Sequence, residues 1–364
     1  MASTTTESPT VTPKYPIIDS HIHLYPASEV HTLAWFDPNL PLSTNQHSLD
    51  EYTAATTSPP ELEGFVFLET DREHDLDSGE ADGSGWAGPL MEIDWIRRVA
   101  VGEPKEGEGH DESHSKLLQG LVPWAPLPSG AAVMERYIEK AREVAGEEAG
   151  KRISGFRYLV QSKPPGTMLG EGFIEGLKLL GREKLTFDLG VDQHNGGDWQ
   201  LEEAVKMIRL AHEGVDDAQK VRIVINHLCK PDFSFYALPP DELHENPRFQ
   251  KWREAMFELS QAKNTYMKLS GCLSELPDSL KTESANHIFA AILPWLSVIL
   301  AAFRGRLMFG SDWPVCTVGV GEDAWKKWRA VVERMCEMGG LGMEEQIMLW
   351  SGTAIVAYGL NPST

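Results

Sequence analysis

The stretch PIIDSHIHLYP, residues 16–26, begins as an apolar, strand-like segment and ends with two histidines one residue apart. Side chains at positions i and i+2 of a β-strand point to the same face, which predicts a shared face for Asp19, His21 and His23. Three polar groups on one face of an apolar strand are costly unless polar partners surround them. We therefore expect this strand to end at a polar site that other segments also supply.

Seven further apolar runs have the character of strands, and segments with helical spacing lie between most of them. The predicted strands cover residues 17–23, 64–70, 118–127, 153–160, 185–191, 221–228, 264–271 and 306–313. The predicted helices cover residues 129–148, 171–181, 198–213, 247–261, 282–302, 321–338 and 343–357. This alternation indicates an α/β fold and favours a (β/α)8 TIM-type barrel with loop insertions over a doubly wound open sheet.

The domain organisation follows from length and local composition. A chain of 364 residues can form one large domain or two. We predict a disordered polar tail at residues 1–14 and a single (β/α)8 domain at residues 15–364. Two segments rich in Gly, Asp and Glu, 71–89 and 102–116, are predicted to be solvated loop insertions. Asp198 is predicted to cap the helix that follows it.

Charge and cysteine content bear on partners and location. The chain has 33 Lys and Arg against 54 Asp and Glu, a net charge of −21, which argues against binding to nucleic acid or anionic membranes. Its start lacks a signal-peptide pattern, and the longest apolar run, 288–303, is short for a membrane span. The four cysteines lack metal-type spacing. We expect a cytoplasmic protein with reduced thiols and a small-molecule partner; a homo-oligomer formed through the apolar helix at 287–303 stays open.

Polar or aromatic side chains recur at the ends of successive predicted strands. In a (β/α)8 fold, catalytic groups lie at the carboxyl ends of the strands. The residues at those ends are His21, His23, Glu69, Trp124, Arg157, Asp188, His227, Lys230, Lys268, Ser270 and Asp312. This recurrence predicts one central site to which most strands contribute.

Five of these segments, taken in order, give the chain a family resemblance. The motifs DSHIH, GFRYL, INHLCKPDF, MKLSG and LMFGSDWPV resemble those of the amidohydrolase superfamily, in its branch of lactone hydrolases that includes sugar-acid lactonases. The resemblance extends from about Ile17 to Tyr358. It implies a carboxylic-ester hydrolase that opens the lactone ring of a sugar acid, most simply L-rhamnono-lactone, in sugar catabolism.

The resemblance also implies roles for individual residues. The positions that match are, for binding a metal ion or the carbonyl oxygen, His21, His23, His227 and Asp312 and, for cationic contacts to the substrate, Arg157 and Lys230. The fifth strand departs from the pattern, because FDLGVDQH lacks the histidine that metal-dependent relatives often carry there. Asp188 or His194 would have to substitute for it. One divalent ion, with zinc the first expectation, is implied, and a metal-free mechanism stays open.

Lactone hydrolysis itself needs an activated water, a polarised carbonyl and a proton for the departing alkoxide. Asp312 suits the role of general base, and His227 could be a metal ligand or donate to the developing oxyanion. The candidates for binding substrate hydroxyls are Glu69, Asp188 and Lys230, and those for packing on a sugar ring are Trp124, Trp199 and Trp313.

Most of these residues also have a purely structural interpretation. Arg157 and Lys230 could form salt bridges with Glu69 or Asp188, and the tryptophans could belong to the core. The HDESH segment, residues 110–114, has histidines four residues apart but is predicted to be a solvated loop rather than a zinc-binding helix.

Two other functions stay open at this point. One is a different enzyme of the same superfamily, either a decarboxylase of aromatic or muconate-type acids or a hydrolase of aromatic-derived lactones. The other is a catalytically inactive barrel that binds a ligand. The complete set of three histidines and one aspartate argues against the inactive barrel.

Overall fold

The computed structural model describes residues 15–59 and 61–361, so the predicted tail at 1–14 lies outside the described residues. Each of the eight predicted strands is present, and each lies within or close to its predicted range. They are β1 (Ile17–Ile22), β2 (Leu62–Leu68), β3 (Leu118–Val122), β4 (Gly155–Arg157), β5 (Thr186–Leu189), β6 (Arg222–Ile225), β7 (Thr265–Leu269) and β8 (Leu307–Phe309).

The strands form two parallel sheets in sequential order, one of β1–β3 and one of β4–β8. Isolated parallel bridges join the two sheets at both junctions. Leu121 pairs with Ile153 between β3 and β4, and Ile22 of β1 pairs with Trp313 just after β8. The sequential order contradicts the doubly wound alternative, in which the strand order reverses. The fold is therefore α/β with parallel sheets, as predicted.

Helices precede or follow nearly every strand. In chain order they are α1 (Pro41–Thr44), α2 (Leu49–Thr56), α3 (Leu76–Asp82), α4 (Ala87–Val101), α5 (Ala131–Gly150), α6 (Glu171–Arg182), α7 (Gln193–Gly196), α8 (Trp199–His212), α9 (Pro240–Glu245), α10 (Pro247–Ser260), α11 (Cys272–Glu275), α12 (Asp278–Lys281), α13 (Ala285–Phe303), α14 (Ala324–Met338), α15 (Met343–Ile347) and α16 (Thr353–Tyr358). A π-helical turn, Met348–Gly352, connects the last two.

The prediction of solvated insertions was wrong in part. The segment 71–89 contains α3 and the first turn of α4. In the segment 102–116, Glu108 and His110 are buried. Burial of this acidic loop is possible because Arg98 donates from Nε to both Glu108 carboxylate oxygens at 3.0 and 2.9 Å, and paired charges tolerate desolvation far better than single ones. Asp198 precedes α8 but makes no side-chain capping bond; it accepts from Gln193 Nε2 at 2.8 Å instead.

The apolar interior has two parts. A large cluster fills the space between the strands and the helices. A smaller cluster lies on the opposite face of the strands, where α16 covers it; its strand members are Ile18, Val66, Leu68, Val122, Val224 and Met308. Thr186, the first residue of β5, donates to the Ala357 carbonyl of α16 at 2.6 Å. Helix α16 therefore lies at the amino ends of the strands, and their carboxyl ends are free to form a site.

Among the described residues, one helix, α13, is long and apolar enough to cross a membrane by length and composition. Its 19 residues include one face that is buried in the core, with Ile288, Ile292, Trp295, Ile299 and Phe303. The packing of this face on the core matches the expectation of a packed helix.

Candidate active site

A register shift in β1 determines which of its polar residues meet. The pairing of β1 with β2 is irregular between Asp19 and Ile22, so the simple i, i+2 rule does not hold across this stretch. Asp19 Oδ2 accepts from Trp325 Nε1 at 2.9 Å and from Tyr52 OH at 3.1 Å, on the side of the helices. The prediction that Asp19 shares a face with the two histidines was therefore wrong.

The structure brings the three predicted histidines and Asp312 together. Asp312 Oδ1 lies 3.3 Å from His21 Nε2, 3.5 Å from His23 Nε2 and 3.7 Å from His227 Nε2. Residues from the first, sixth and eighth strands thus meet at one oxygen atom, although 291 positions separate the first from the last in sequence (312 − 21). The convergence at the carboxyl ends of the strands agrees with the prediction of one central site.

The backbone around these residues is unusual. Residues 227–230 have φ between 44° and 60°, and Asp312 has φ of 65°. The left-handed region costs non-glycine residues about 1–2 kcal/mol each. Hydrogen bonds hold this strained turn: Trp252 Nε1 donates to the Leu228 carbonyl at 2.8 Å, and the His194 amide donates to the Lys230 carbonyl at 3.0 Å. Backbone strain concentrates at functional sites.

Hydrogen bonds determine the protonation of the imidazoles. His23 Nδ1 lies 2.9 Å from the Glu69 carbonyl, which can only accept, so His23 carries a proton on Nδ1 and directs Nε2 toward Asp312. His227 Nδ1 lies 2.9 Å from Ser270 Oγ. Burial lowers the pKa of His227 to about 3, so this imidazole is neutral at pH 7.

Asp312 is held as a carboxylate. Burial by itself raises its pKa, but the neighbouring His227, the hydrogen bond and charge of His23 and the charge of Lys230 outweigh burial and hold the pKa below its ordinary value. A buried carboxylate whose pKa is low and which faces imidazoles can bind a cation or accept a proton.

A cavity of about 380 Å³ opens onto this cluster. Of the predicted residues, His23, Glu69, Arg157, His227, Lys230 and Asp312 line it. Arg157 Nη1 lies 3.2 Å from Glu69 Oε1, and Lys230 Nζ lies 2.9 Å from Glu275 Oε1. Arg157 therefore has a salt-bridge partner that the structural interpretation expected, whereas Lys230 pairs with Glu275 instead of Glu69 or Asp188. Both cations still face the cavity.

Several other candidates are not on the cavity wall, among them Trp199, which is the first residue of α8. Trp124 and Trp313 are buried in aromatic clusters, with Tyr137 and Tyr52 as respective neighbours. Asp188 is fully buried and contacts Lys268 Nζ at 2.6 Å. His194 lies 3.4 Å from Asp232, away from the cluster. Asp188 and His194 therefore do not take the place of a fifth-strand histidine beside Asp312.

Sequence reasoning missed several lining residues. They are Tyr25, Trp35, Thr70, Asp71, Leu159, Gln161, Ser162, Pro314 and Val315. Most follow a strand end by one to four residues, which was the available signal. Trp35 gave no such signal, because it lies in an irregular segment outside the strands; its Nε1 donates to the Thr70 carbonyl at 2.8 Å.

The donor set is suited to a divalent metal ion. One nitrogen or oxygen atom from each of His21, His23 and Asp312 lies within 4.8 Å of the others. Two imidazoles and a carboxylate are a ligand set that zinc and other first-row metals accept, and Nε2 of both imidazoles faces Asp312 Oδ1. The residues present therefore fit a metal ion.

Comparisons with known proteins agree with this geometry. The chain is 32% identical over 355 residues to the L-rhamnono-gamma-lactonase of Scheffersomyces stipitis, covering 95% of this chain and 99% of that protein. It is 33% identical over 248 residues to an L-fucono-1,5-lactonase of Burkholderia multivorans, covering 67% of this chain and 72% of that protein.

A solved structure and a family model complete the comparison. An amidohydrolase from Burkholderia multivorans, crystallised with bound zinc, superposes with a TM-score of 0.67 at 22% identity, covering 95% of this chain and 100% of that one, which shows a shared fold. A family model described as Amidohydrolase matches residues 18–360. The chain therefore belongs to the amidohydrolase family.

Proposed function

We propose that this protein is a lactonase that opens the ring of a sugar-acid lactone, with L-rhamnono-lactone or a similar aldonolactone as substrate. The observation that carries the proposal is the Asp312 carboxylate, which faces three imidazoles at the wall of a polar cavity. The similarity to L-rhamnono-gamma-lactonase and L-fucono-1,5-lactonase supports the substrate class.

In this proposal Asp312 is the general base. It accepts a proton from the attacking water and later returns it to the departing alkoxide. We assign the Ser270 hydroxyl as the donor to His227 Nδ1, 2.9 Å away, which puts the proton of the neutral imidazole on Nε2. Nε2–H then donates to the carbonyl oxygen as negative charge develops there. Arg157 and Lys230 add positive potential beside the same oxygen.

The proposed metal site consists of His21, His23 and Asp312, with His227 beside it, and zinc is the first choice of ion. A bound divalent ion would polarise the carbonyl and lower the pKa of the attacking water. Without the ion, His227, Arg157 and Lys230 alone supply the positive potential. A lactone needs less activation of its carbonyl than an amide does.

Other residues of the cavity are the proposed contacts for the rest of the substrate. Glu69 and Lys230 are the proposed contacts for substrate hydroxyls. Trp35 replaces Trp124 and Trp313 as the proposed ring-packing residue.

We further propose one domain over residues 15–364, with the two parallel sheets closed into a (β/α)8 barrel. The bridges at both sheet junctions support closure. The net charge of −21 supports a small-molecule partner without nucleic acid or membrane. A cytoplasmic location in sugar catabolism fits the four buried, unpaired cysteines.

The test is Asp312→Asn assayed on a panel of aldonolactones. We expect kcat to fall by about 10²–10⁴, as for loss of a general base, while the exposed control Asp278→Asn stays at the wild-type value. Activity near wild type in Asp312→Asn would show that the base is misassigned. Turnover of conjugated acids in the same panel, followed by ultraviolet absorbance, would favour the decarboxylase alternative. Ligand-induced thermal stabilisation without turnover would favour an inactive barrel.

A further inference from the structure

A chain of buried polar side chains runs beneath the histidine–aspartate cluster. Tyr358 OH donates to Asp188 Oδ2 at 2.6 Å, and Lys268 Nζ donates to Asp188 Oδ1 at 2.6 Å. Lys268 Nζ also lies 3.1 Å from His21 Nδ1. All four residues are buried, with at most 2% of their surface exposed. The chain therefore connects α16, at the amino ends of the strands, to the site at their carboxyl ends.

The surroundings leave these groups few other partners. Val224 and Met308 belong to the apolar cluster that also contains Tyr358, and the Lys268 ammonium lies 5.3 Å above the Tyr358 ring. A charged group in such surroundings is stable only with its partner in place. Lys268 is therefore held in one position by Asp188, by the Tyr358 ring and by His21.

The contact to His21 determines how that ring is oriented. Because Lys268 engages Nδ1, the other ring nitrogen, Nε2, faces Asp312 Oδ1 at 3.3 Å. Any other rotation of the ring would give up the Lys268 contact. We propose that Lys268 is a positioning residue of this site, which aims His21 Nε2 at Asp312, and that Asp188 and Tyr358 hold Lys268 in place. The expected effect on turnover rests on the proposed lactonase function.

The chain offers graded variants and a matched control. Tyr358→Phe removes one hydroxyl group, and Lys268→Met removes the contact to His21. The double variant Lys268→Met/Asp188→Asn leaves no unpaired buried charge. It replaces Lys268→Met in the measurements if that single variant does not fold. Thr186→Val is the control. Thr186 also donates a hydrogen bond to α16, to the Ala357 carbonyl at 2.6 Å, but it makes no hydrogen bond to Tyr358, Asp188, Lys268 or His21.

Kinetics give the first readout. Removing a side chain that orients an active-site histidine is expected to lower activity 10- to 100-fold, the range found for residues that support metal-binding histidines. We expect kcat of Lys268→Met to fall by that factor, with KM within about twofold of the wild-type value. The kcat of Tyr358→Phe should fall by a smaller factor. Thr186→Val should keep the wild-type kcat. A loss of melting temperature in Lys268→Met and Tyr358→Phe with unchanged kcat would show a structural role and overturn the proposal.

The second readout does not depend on turnover. Long-range ¹H–¹⁵N spectra of histidine-labelled protein report the environment and proton position of each imidazole, and His21→Gln assigns the His21 signals. We expect these signals to shift in Lys268→Met and Tyr358→Phe but not in Thr186→Val. Unchanged His21 signals in Lys268→Met would overturn the proposal. Absence of lactone turnover by the wild type would instead refute the proposed function, and the spectra would still decide the role of Lys268.

Discussion

Gly271 determines where the His227 ring can lie. A Cβ atom at Gly271 would come within 2.2 Å of His227 Nδ1, the nitrogen that pairs with Ser270 Oγ. Gly271 also has φ of +63°, a conformation that glycine adopts at little cost. The residue thus serves the backbone and the site at once, and the two roles can be separated by experiment.

We predict that Gly271→Ala lowers kcat at least 10-fold, because the added methyl group forces His227 away from Ser270 and Asp312. Gly305→Ala is the matched control, since Gly305 has φ of +78° and no neighbouring atom within 4 Å of the added Cβ among the described residues. In both variants the backbone conformation costs about 1 kcal/mol of folding stability, so the melting temperature of both should be slightly lower than that of the wild type. Equal kcat in the two variants would contradict the role assigned to Gly271.

Glu69 is a second residue whose environment has a measurable consequence. It is fully buried, and burial raises its pKa to about 7 although Arg157 acts in the opposite direction. A carboxyl group whose folded pKa is above its unfolded value favours the folded state in its protonated form. This stability is fully present below the unfolded pKa of 4.5 and is lost as pH rises through about 7.

We predict that Glu69→Gln weakens the pH dependence of melting temperature. Between pH 5 and pH 7.5 the wild type loses the stability that protonated Glu69 provides, and one unit of pKa shift corresponds to about 1.4 kcal/mol. The difference in melting temperature, variant minus wild type, should therefore rise by about 3 °C over this range. The exposed Glu171→Gln variant should follow the wild-type curve. Parallel curves for Glu69→Gln and wild type would show that the Glu69 pKa is not raised.

At the level of elements, one wall of the cavity is a pair of short extended segments rather than a strand of the sheets. The Ala34 amide donates to the Asp71 carbonyl at 2.8 Å, and the Glu73 amide donates to the Thr32 carbonyl at 2.8 Å. Arg72 is buried beneath this pair and donates from Nη1 to the Glu29 carbonyl at 3.0 Å. This guanidinium therefore ties the wall to the 27–32 turn.

We predict that Arg72→Met raises KM about 5- to 10-fold with a smaller change in kcat, because it loosens the wall that holds Trp35 without touching the histidine–aspartate cluster. It should also lower the melting temperature by several degrees, since buried Glu92 loses a charged partner at 3.4 Å. Arg97→Met removes a more exposed ion pair with Asp94 and should change neither value appreciably. An unchanged KM in Arg72→Met would exclude this segment from substrate binding.

The elements that sequence reasoning predicted well are those whose signal is local. An apolar run with β-branched residues, such as the one that forms β6, predicts a strand whatever surrounds it, and the polar residues at strand ends predicted most of the cluster. The Asp19 orientation, by contrast, depends on the register of β1 against β2, and the burial of Glu108 depends on Arg98. Such features need the tertiary partner and cannot be read from a local pattern.

At the scale of the whole molecule, both sheets share one continuous core. The larger apolar cluster includes Trp95 and Tyr137 from the first half of the chain and Trp252, Trp295 and Trp325 from the second. Continuity of this kind predicts that the halves unfold together. All four cysteines lie in the second half and are buried, and burial raises the pKa of each thiol.

We predict that the native protein resists thiol labelling and that all four cysteines react together on unfolding. Buried thiols of raised pKa supply little thiolate to the reagent. Across a urea series, labelling of Cys229, Cys272, Cys316 and Cys336 should therefore show the same midpoint as tryptophan fluorescence, to which Trp86, Trp95 and Trp124 of the first half contribute. Two midpoints would mean that the sheet of β1–β3 unfolds apart from that of β4–β8, because the thiols report only the second half. A single midpoint is required if the bridges at both junctions join the strands into one cooperative unit.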